Sequence, residues 1–548
     1  MPAHADSIRR VAREAFGFDE LRPGQLEAIE SVVDGRDTLA VMSTGSGKSA
    51  IYQIAGLLIE GATVVVSPLI ALQRDQVEDL RENAGLAGGA RDFGAAQLNS
   101  TVPKSARDEA LAELAEDALE FLFLAPEQLA NPDLLDELAV ANVSLLVVDE
   151  AHCISEWGHD FRPDYLRLGA AAEALGRPTV LALTATAAPP VRTEIVERLA
   201  LRDPALVVRG FDRPNLHLAV ERFYDEPHLH RALLERVEAT AAPGIVYAPT
   251  RKAAEEIAAD LAGRGVRAEA YHAGLRPKLR EEVQERFMAD ELHCVVATTA
   301  FGMGVDKPNV RWVFHSAPAD SVDSYYQELG RAGRDGEPAE SVLFYRPEDL
   351  GLRRFFAGTG QVGEQELEKV AFMVGIADGP VEPTELQDET DLSQSKLTTA
   401  ISRLEDAGAV EVLPTGEIAE APEAPARDEA VAEALEIEEQ RRTFDRSRVD
   451  MMRGYAETTE CRRAFILSYF GEPYDPPCGN CDNCDAGLSE APPDDVPFAV
   501  GARVRHGSWG EGVVQRYDEE AMVVLFDDVG YKTLALEVVV ERGLLEAA

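Results

Sequence analysis

Five short apolar runs, TLAVM, TVVVSP, FLFLAP, SLLVVDE and TVLALTA, recur between helical stretches from about Ile8 to Leu201, and no other feature constrains the fold as strongly. Runs rich in β-branched residues and leucine, without polar alternation, suit strands buried on both faces, as parallel strands covered by helices are. A second series, GIVYAP, AEAYHAG, HCVVATT, VRWVFHS and SVLFYR, extends from Gly244 to Arg346. The fold class is therefore α/β, with two such domains in tandem. A chain of 548 residues is too long for one core, and a domain size of about 150 residues predicts three to four domains.

Hydrophobic content of 45% and charged content of 28% fit a folded globular chain. No apolar run approaches the roughly 20 residues of a membrane helix. The start, MPAHADSIRR, lacks the apolar core of a signal peptide, so a cytoplasmic protein is expected. Four of the six cysteines, Cys461, Cys478, Cys481 and Cys484, crowd into one segment, which favours a reduced compartment and one metal site over disulfides. The net charge of −45 opposes a polyanionic partner. Its placement is uneven: Gln361 to Gln440 alone carries −17, leaving the rest less hostile to phosphates. The acidic, lysine-poor composition fits a salt-adapted or a GC-rich host equally.

Past Arg354 the pattern changes. Pro383 to Gly408 gives a short helix, a turn and SQSKLTTAISRLEDAG, with Leu397, Ile401 and Leu404 on one helical face, a helix-turn-helix pattern. Its second helix offers Lys396 and Arg403 but also Glu405 and Asp406, so DNA contact and a structural brace both remain open. An Ala/Pro/Glu stretch leads to the cysteines, and a linker, SEAPPDDVP, leads to a final stretch of runs ARVRHG, EGVVQRY, AMVVLFDD and KTLALEVVV. Its length and Gly and Asp turns suit a small β-barrel, with Trp509 and Tyr517 as exposed aromatics.

STGSGKS follows the strand TLAVM and precedes a helical pattern. Backbone N–H groups of Thr44, Gly45, Ser46 and Gly47 are placed to wrap phosphates, Lys48 to reach the terminal phosphates and Ser49 to ligate Mg²⁺. The strict pattern would have Gly at Met42. LLVVDEAH ends another strand, where Asp149 can hold Mg²⁺ and Glu150 can position or deprotonate water. In SYYQELGRAGRDG, Gln327, Arg331 and Arg334 fall at i, i+4 and i+7, one face of a helix, and such arginines can stabilise charge on a γ-phosphate. Downstream of the acids, Trp157, His159, Phe161 and Arg162 suit stacking and charge contacts with single strands. Cys461-x16-Cys478-x2-Cys481-x2-Cys484 supplies four thiolates for a tetrahedral Zn²⁺ site, an iron–sulfur site being the alternative.

The stretches FGFDELRPGQ, STGSGKS, VVVSPLIALQRDQ, DEAHCISEWGHDFRPDY, LALTATA, YHAGL, VVATTAFGMGVDKP and QELGRAGRDG occur in the order found in RecQ-family DNA helicases of superfamily 2. The chain resembles that family over about residues 10 to 355, and CRRAFILSYFGEPYDPPCGNCDNC resembles its zinc-binding segment. The resemblance implies two RecA-like domains with ATP between them. By it, Phe18, Arg22 and Gln25 hold the adenine, Arg334 is the arginine finger, Gln327 and Arg331 sense the nucleotide, and the aromatic-rich loop couples DNA to hydrolysis. It also removes the objection of Met42, since these helicases do not require the first glycine.

The expected organisation is a first RecA-like domain over 1–208, a second over 209–355, a helix-turn-helix or winged-helix-like insertion with acidic linker over 356–435, a zinc-binding domain over 436–487, a linker over 488–497 and a barrel over 498–548. The insertion departs from most relatives, whose winged helix follows the zinc segment and splits the duplex. The last stretch resembles the Tudor-like tails of UvrD/PcrA-type bacterial helicases, which implies a protein partner such as RNA polymerase or a repair protein. The resulting expectation is a monomeric, nucleoid-associated bacterial 3′-to-5′ DNA helicase of repair and recombination, using ATP, Mg²⁺ and Zn²⁺ on single-stranded and forked DNA. An RNA helicase and a DNA-stimulated translocase without strong unwinding are the rival readings.

Overall fold

The computed structural model describes residues 2–68, 70–86, 94–99, 102–155, 162–302, 307–351, 362–377, 379–413, 416–472, 474–489, 496–517 and 521–548. Trp157, His159 and Phe161 lie outside the described residues. Two compact units result: Met1–Gly210 with Gly360–Glu439, and Phe211–Thr359 with Gln440–Ala548. The inserted helices thus group with the first α/β domain, and the zinc and carboxy-terminal segments with the second.

In the first unit, β1 (Thr38–Met42), β2 (Ala62–Val66), β3 (Gly94–Leu98), β4 (Leu119–Leu124), β5 (Val143–Val148), β6 (Thr179–Thr184) and β7 (Ala205–Arg209) form a parallel sheet in the order β3-β4-β2-β5-β6-β1-β7. The five apolar runs are its central strands. β3 and β7 escape the sequence pattern because GAAQL and ALVVR stand at the edges and need less apolar cover. The inserted helices Glu364–Ile376, Pro383–Thr390 and Gln394–Asp406 precede a two-stranded antiparallel pair, Val410–Val412 and Ile418–Glu420. Leu397, Ile401 and Leu404 enter their shared core as the spacing predicts.

In the second unit, β8 (Leu216–Arg222), β9 (Gly244–Tyr247), β10 (Ala268–Tyr271), β11 (Cys294–Ala297), β12 (Trp312–His315) and β13 (Ala339–Tyr345) make a parallel sheet, β10-β11-β9-β12-β13-β8. The edge strand β8 is again the one missing from the apolar series. The carboxy-terminal stretch is a five-stranded antiparallel sheet, from Gly530–Ala535 through Ala521–Phe526, Gly510–Tyr517 and Arg503–His506 to Leu545–Ala547. Two readings change here. LEVVVER, counted with the last strand, is the helix Leu536–Arg542, whose Val539 enters the core while Val540 stays exposed. Tyr517 is buried at 6%, its hydroxyl donating to the Phe498 carbonyl at 2.7 Å, and Trp509 packs on the core with His506 stacked on it.

Candidate nucleotide and zinc sites

β1 runs into the loop Ser43–Lys48, which opens the helix Ser49–Gly56. Gly45 and Gly47 take φ of 79° and 76°, a left-handed backbone that glycine adopts without strain. A Cβ on Gly47 would sit 2.7 Å from Gln25 Nε2. Gln25 Nε2 donates to the carbonyls of Ser46 at 3.1 Å and Gly47 at 2.9 Å, while its Oε1 accepts from the Arg22 backbone at 2.7 Å. Arg22 also donates to the Gly45 carbonyl. FGFDELRPGQ is therefore stitched to the phosphate loop, with Phe18 stacked on Phe16 beside it.

Lys48 Nζ donates to the Met42 carbonyl at 3.0 Å, folded along its own loop. Asp149, at the end of β5, donates its backbone N–H to Val66 and accepts from Glu150 N at 3.0 Å. Burial and then the Glu150 charge raise the Asp149 carboxyl to about 7, against the pull of Lys48. Glu150 sits at φ 49°, and its buried Oε2 accepts no hydrogen bond. Two crowded carboxylates with an unsatisfied oxygen beside a lysine fit a divalent cation and a polyphosphate, the donor set Mg²⁺–ATP requires.

Behind the acids lies a polar network to which the sequence assigned no role. His152 is fully buried, and burial lowers it to about 3, so the ring is neutral. Its Nδ1 lies 2.9 Å from Thr184 Oγ1 and 3.3 Å from Glu150 Oε2. Thr184 Oγ1 donates to the Thr186 carbonyl, which assigns the ring proton to Nδ1, given to Thr184. The network joins the ends of β5 and β6. Polar residues closing the apolar run LALTATA were the available signal. Arg162 N donates to the Cys153 carbonyl at 2.8 Å, Arg162 Nη1 to the Pro68 carbonyl at 3.2 Å, and Tyr165 Oη to the Asp149 carbonyl at 2.9 Å. The base of the aromatic loop is thus tied to the acid pair itself.

In the second unit Ser321 caps the helix Val322–Leu329, which carries Gln327. The helix ends there, so Arg331 and Arg334 do not share a helical face with Gln327 as the i, i+4, i+7 spacing predicts. Arg213 accounts for the difference. Its guanidinium donates to the carbonyls of Gly330, Ala332 and Gly333 at 3.1, 2.6 and 3.0 Å, holding a turn where further helix would have bonded those oxygens. Arg331 is buried at 5% and hydrogen-bonds Tyr247, and Arg334 lies half-buried.

The four cysteine sulfurs lie within 4.8 Å of one another, with Cys478 and Cys484 3.8 Å apart. Tetrahedral Zn–S bonds of about 2.3 Å put sulfurs about 3.8 Å apart, so the cluster fits Zn²⁺. Cys461 and Cys481 cap the helices Arg462–Tyr469 and Asp482–Asp485, and Asp482 accepts from Val220 N of β8 at 2.9 Å. Cys153 and Cys294 are buried and stand apart from this group.

Profiles of three families match the chain: DEAD/DEAH box helicase over residues 22–194, helicase conserved C-terminal domain over 228–336 and RecQ zinc-binding over 426–485. The probable ATP-dependent DNA helicase RecS of Bacillus subtilis is 35% identical over 486 residues, 88% of this chain and 92% of that protein. The ATP-dependent DNA helicase RecQ of Synechocystis is 35% identical over 511 residues, 88% of this chain and 99% of that protein. The chain spans 60 to 63% of the length of three other bacterial RecQ helicases. Mycobacterium smegmatis helicase Lhr bound to single-stranded DNA and AMP-PNP shares the fold, with a TM-score of 0.51 at 20% identity over 92% of this chain and 68% of that one. With both motor domains, the zinc segment and relatives matched nearly end to end, the chain belongs to the RecQ family of ATP-dependent DNA helicases.

Proposed function

We propose that this RecQ-family helicase moves 3′-to-5′ along one strand and opens forked duplexes in bacterial repair and recombination. The observation that carries its ATP-driven step is the convergence of Lys48, Ser49, Asp149 and Glu150 at the strand ends of one sheet, beside the braced phosphate loop, while the direction of movement rests on the family resemblance. Lys48 binds terminal phosphates, Ser49 and Asp149 hold Mg²⁺, and Glu150, whose buried Oε2 has no hydrogen bond among the described residues, orients water. Bound Mg²⁺ supplies charge neutralisation on the phosphate oxygens. Phe18, Arg22 and Gln25 receive the base beside Thr44 to Gly47. Gln327, Arg331 and Arg334 sense nucleotide from the second motor domain, Arg334 as the finger.

Trp157, His159, Phe161 and Arg162 take up the single strand, and the bonds of Arg162 and Tyr165 carry its state to Asp149. The expected domain division, a winged-helix-like insertion and a Tudor-like carboxy-terminal barrel that binds a protein such as RNA polymerase belong to the same reading, as do a monomeric state and action at the nucleoid. Among the described residues no helix is long and apolar enough to cross a membrane. One observation favours the rival translocase reading: Lys396 pairs with Glu366 at 2.6 Å and Arg403 with Glu438 at 2.7 Å, so the inserted helix spends its cations internally.

Lys48→Ala is expected to abolish DNA-stimulated hydrolysis in a folded protein. Forked duplexes with a 3′ or a 5′ tail test the rest. Unwinding of the 3′-tailed fork alone supports the reading, and hydrolysis without unwinding of either fork selects the translocase.

A further inference from the structure

The carboxy-terminal sheet is not a loose appendage of the second unit. Gly530, at the turn entering its first-ordered strand, comes so close to the helix Arg427–Glu457 that a Cβ would lie 2.4 Å from Ser447 Oγ. Tyr531 N donates to the same hydroxyl at 3.1 Å. The Arg516 guanidinium lies 4.1 Å from the ring centroid of Phe465, on the zinc segment, and 3.5 Å from Glu460. Its side chain is only 11% exposed there, and that burial lowers the guanidinium to about 10.

The next contacts lead to the arginine-bearing segment. The Tyr531 ring stacks on Tyr469 with centroids 5.2 Å apart and planes at 21°. The Tyr469 hydroxyl donates to Asp323 Oδ2, in the first turn of the helix Val322–Leu329. Arg448 donates to that carboxylate at 3.4 Å and to the capping Ser321 hydroxyl at 3.1 Å, and Tyr455 bonds Tyr325 at 3.3 Å. At the far end Arg213 holds the turn of Gly330 to Gly333, and Arg463 of the zinc segment donates to the Arg213 carbonyl at 3.1 Å. Both ends of the segment leading to Arg331 and Arg334 are gripped from outside the motor sheet, one of them through the carboxy-terminal sheet.

We propose that the carboxy-terminal sheet positions the arginine finger: Tyr531 fixes Tyr469, Tyr469 fixes Asp323, and Asp323 sets the helix from which Arg331 and Arg334 follow. Tyr531, Tyr469 and Asp323 are positioning residues, and a partner seated on the sheet acquires a route to hydrolysis without touching nucleotide. The proposal rests on the reading of Arg334 as the group that stabilises charge on the γ-phosphate.

The test compares full-length Tyr469→Phe, Tyr531→Ala, Tyr531→Phe and Arg334→Ala in ATP hydrolysis with saturating single-stranded DNA. Displacing a catalytic group slightly costs rate rather than binding, so Tyr469→Phe and Tyr531→Ala are expected to lower kcat on the order of 10-fold with KM for ATP unchanged. Tyr531→Phe, which keeps the stacked ring, retains the parent rate. An inactive Arg334→Ala beside a parent-like Tyr469→Phe overturns the relay and leaves the finger standing. An active Arg334→Ala removes the finger and the relay together. Should Tyr531→Ala fail to fold, Tyr469→Phe decides, and a raised KM at parent kcat in that variant counts against the proposal.

Discussion

Glu150 occupies the left-handed region at φ 49°, where a non-glycine residue carries strain on the order of 1 kcal/mol or more. The bonds around it hold the strain: Asp149 caps its N–H, and Tyr165 Oη holds the preceding carbonyl. Tyr165 is wholly buried, so Tyr165→Phe strands a buried carbonyl and is expected to cost about 1–3 kcal/mol. Denaturant unfolding measures this, and an unchanged midpoint would show that the bond contributes nothing. The same variant should weaken stimulation by DNA, since it cuts the tie between the loop and the acid. Lys48, Asp149 and Glu150 could be picked out as candidates from the sequence because the motifs that carry them are local to a strand end and a turn. His152, Thr184 and Arg213 were not, because each acts on a partner at least 32 residues away in the chain.

Among the elements, the inserted helix Gln394–Asp406 is the one whose role the structure moves. Its Glu405 and Asp406 both meet Arg198 of the first motor domain, the former at 3.1 Å, and burial raises the Glu405 carboxyl. With Lys396 and Arg403 also paired internally, the helix has the contacts of a brace. Arg198→Ala leaves two adjacent acids partly buried without their cation and is expected to cost about 2–3 kcal/mol. Limited proteolysis within the insertion reads this loss. Lys396→Ala should leave DNA affinity as it was, and a marked weakening would restore the DNA-reading role. The apolar spacing predicted this helix correctly, yet it could not say which partners its charges would choose.

For the whole molecule, the zinc cluster is the joint on which the second unit depends, since its segment carries Arg463, Tyr469 and the Asp482 contact to β8. Structural Zn²⁺ contributes an apparent ~10–16 kcal/mol, comparable with the ~5–15 kcal/mol by which domains are stable at all. Cys461→Ser is therefore expected to lower zinc content, melting temperature and hydrolysis together. A variant that kept the parent's zinc and melting temperature would separate Cys461 from the cluster. The sequence by itself determined the tandem α/β architecture, the phosphate loop, the acid pair and the four thiolates, because each is written in residues close along the chain. Only the tertiary structure decided where the helix before Arg331 stops, which cations the insertion spends on itself and how the carboxy-terminal sheet meets the zinc segment. Those outcomes turn on hydrogen bonds, ion pairs and ring contacts between residues far apart in sequence, and spacing carries no record of them.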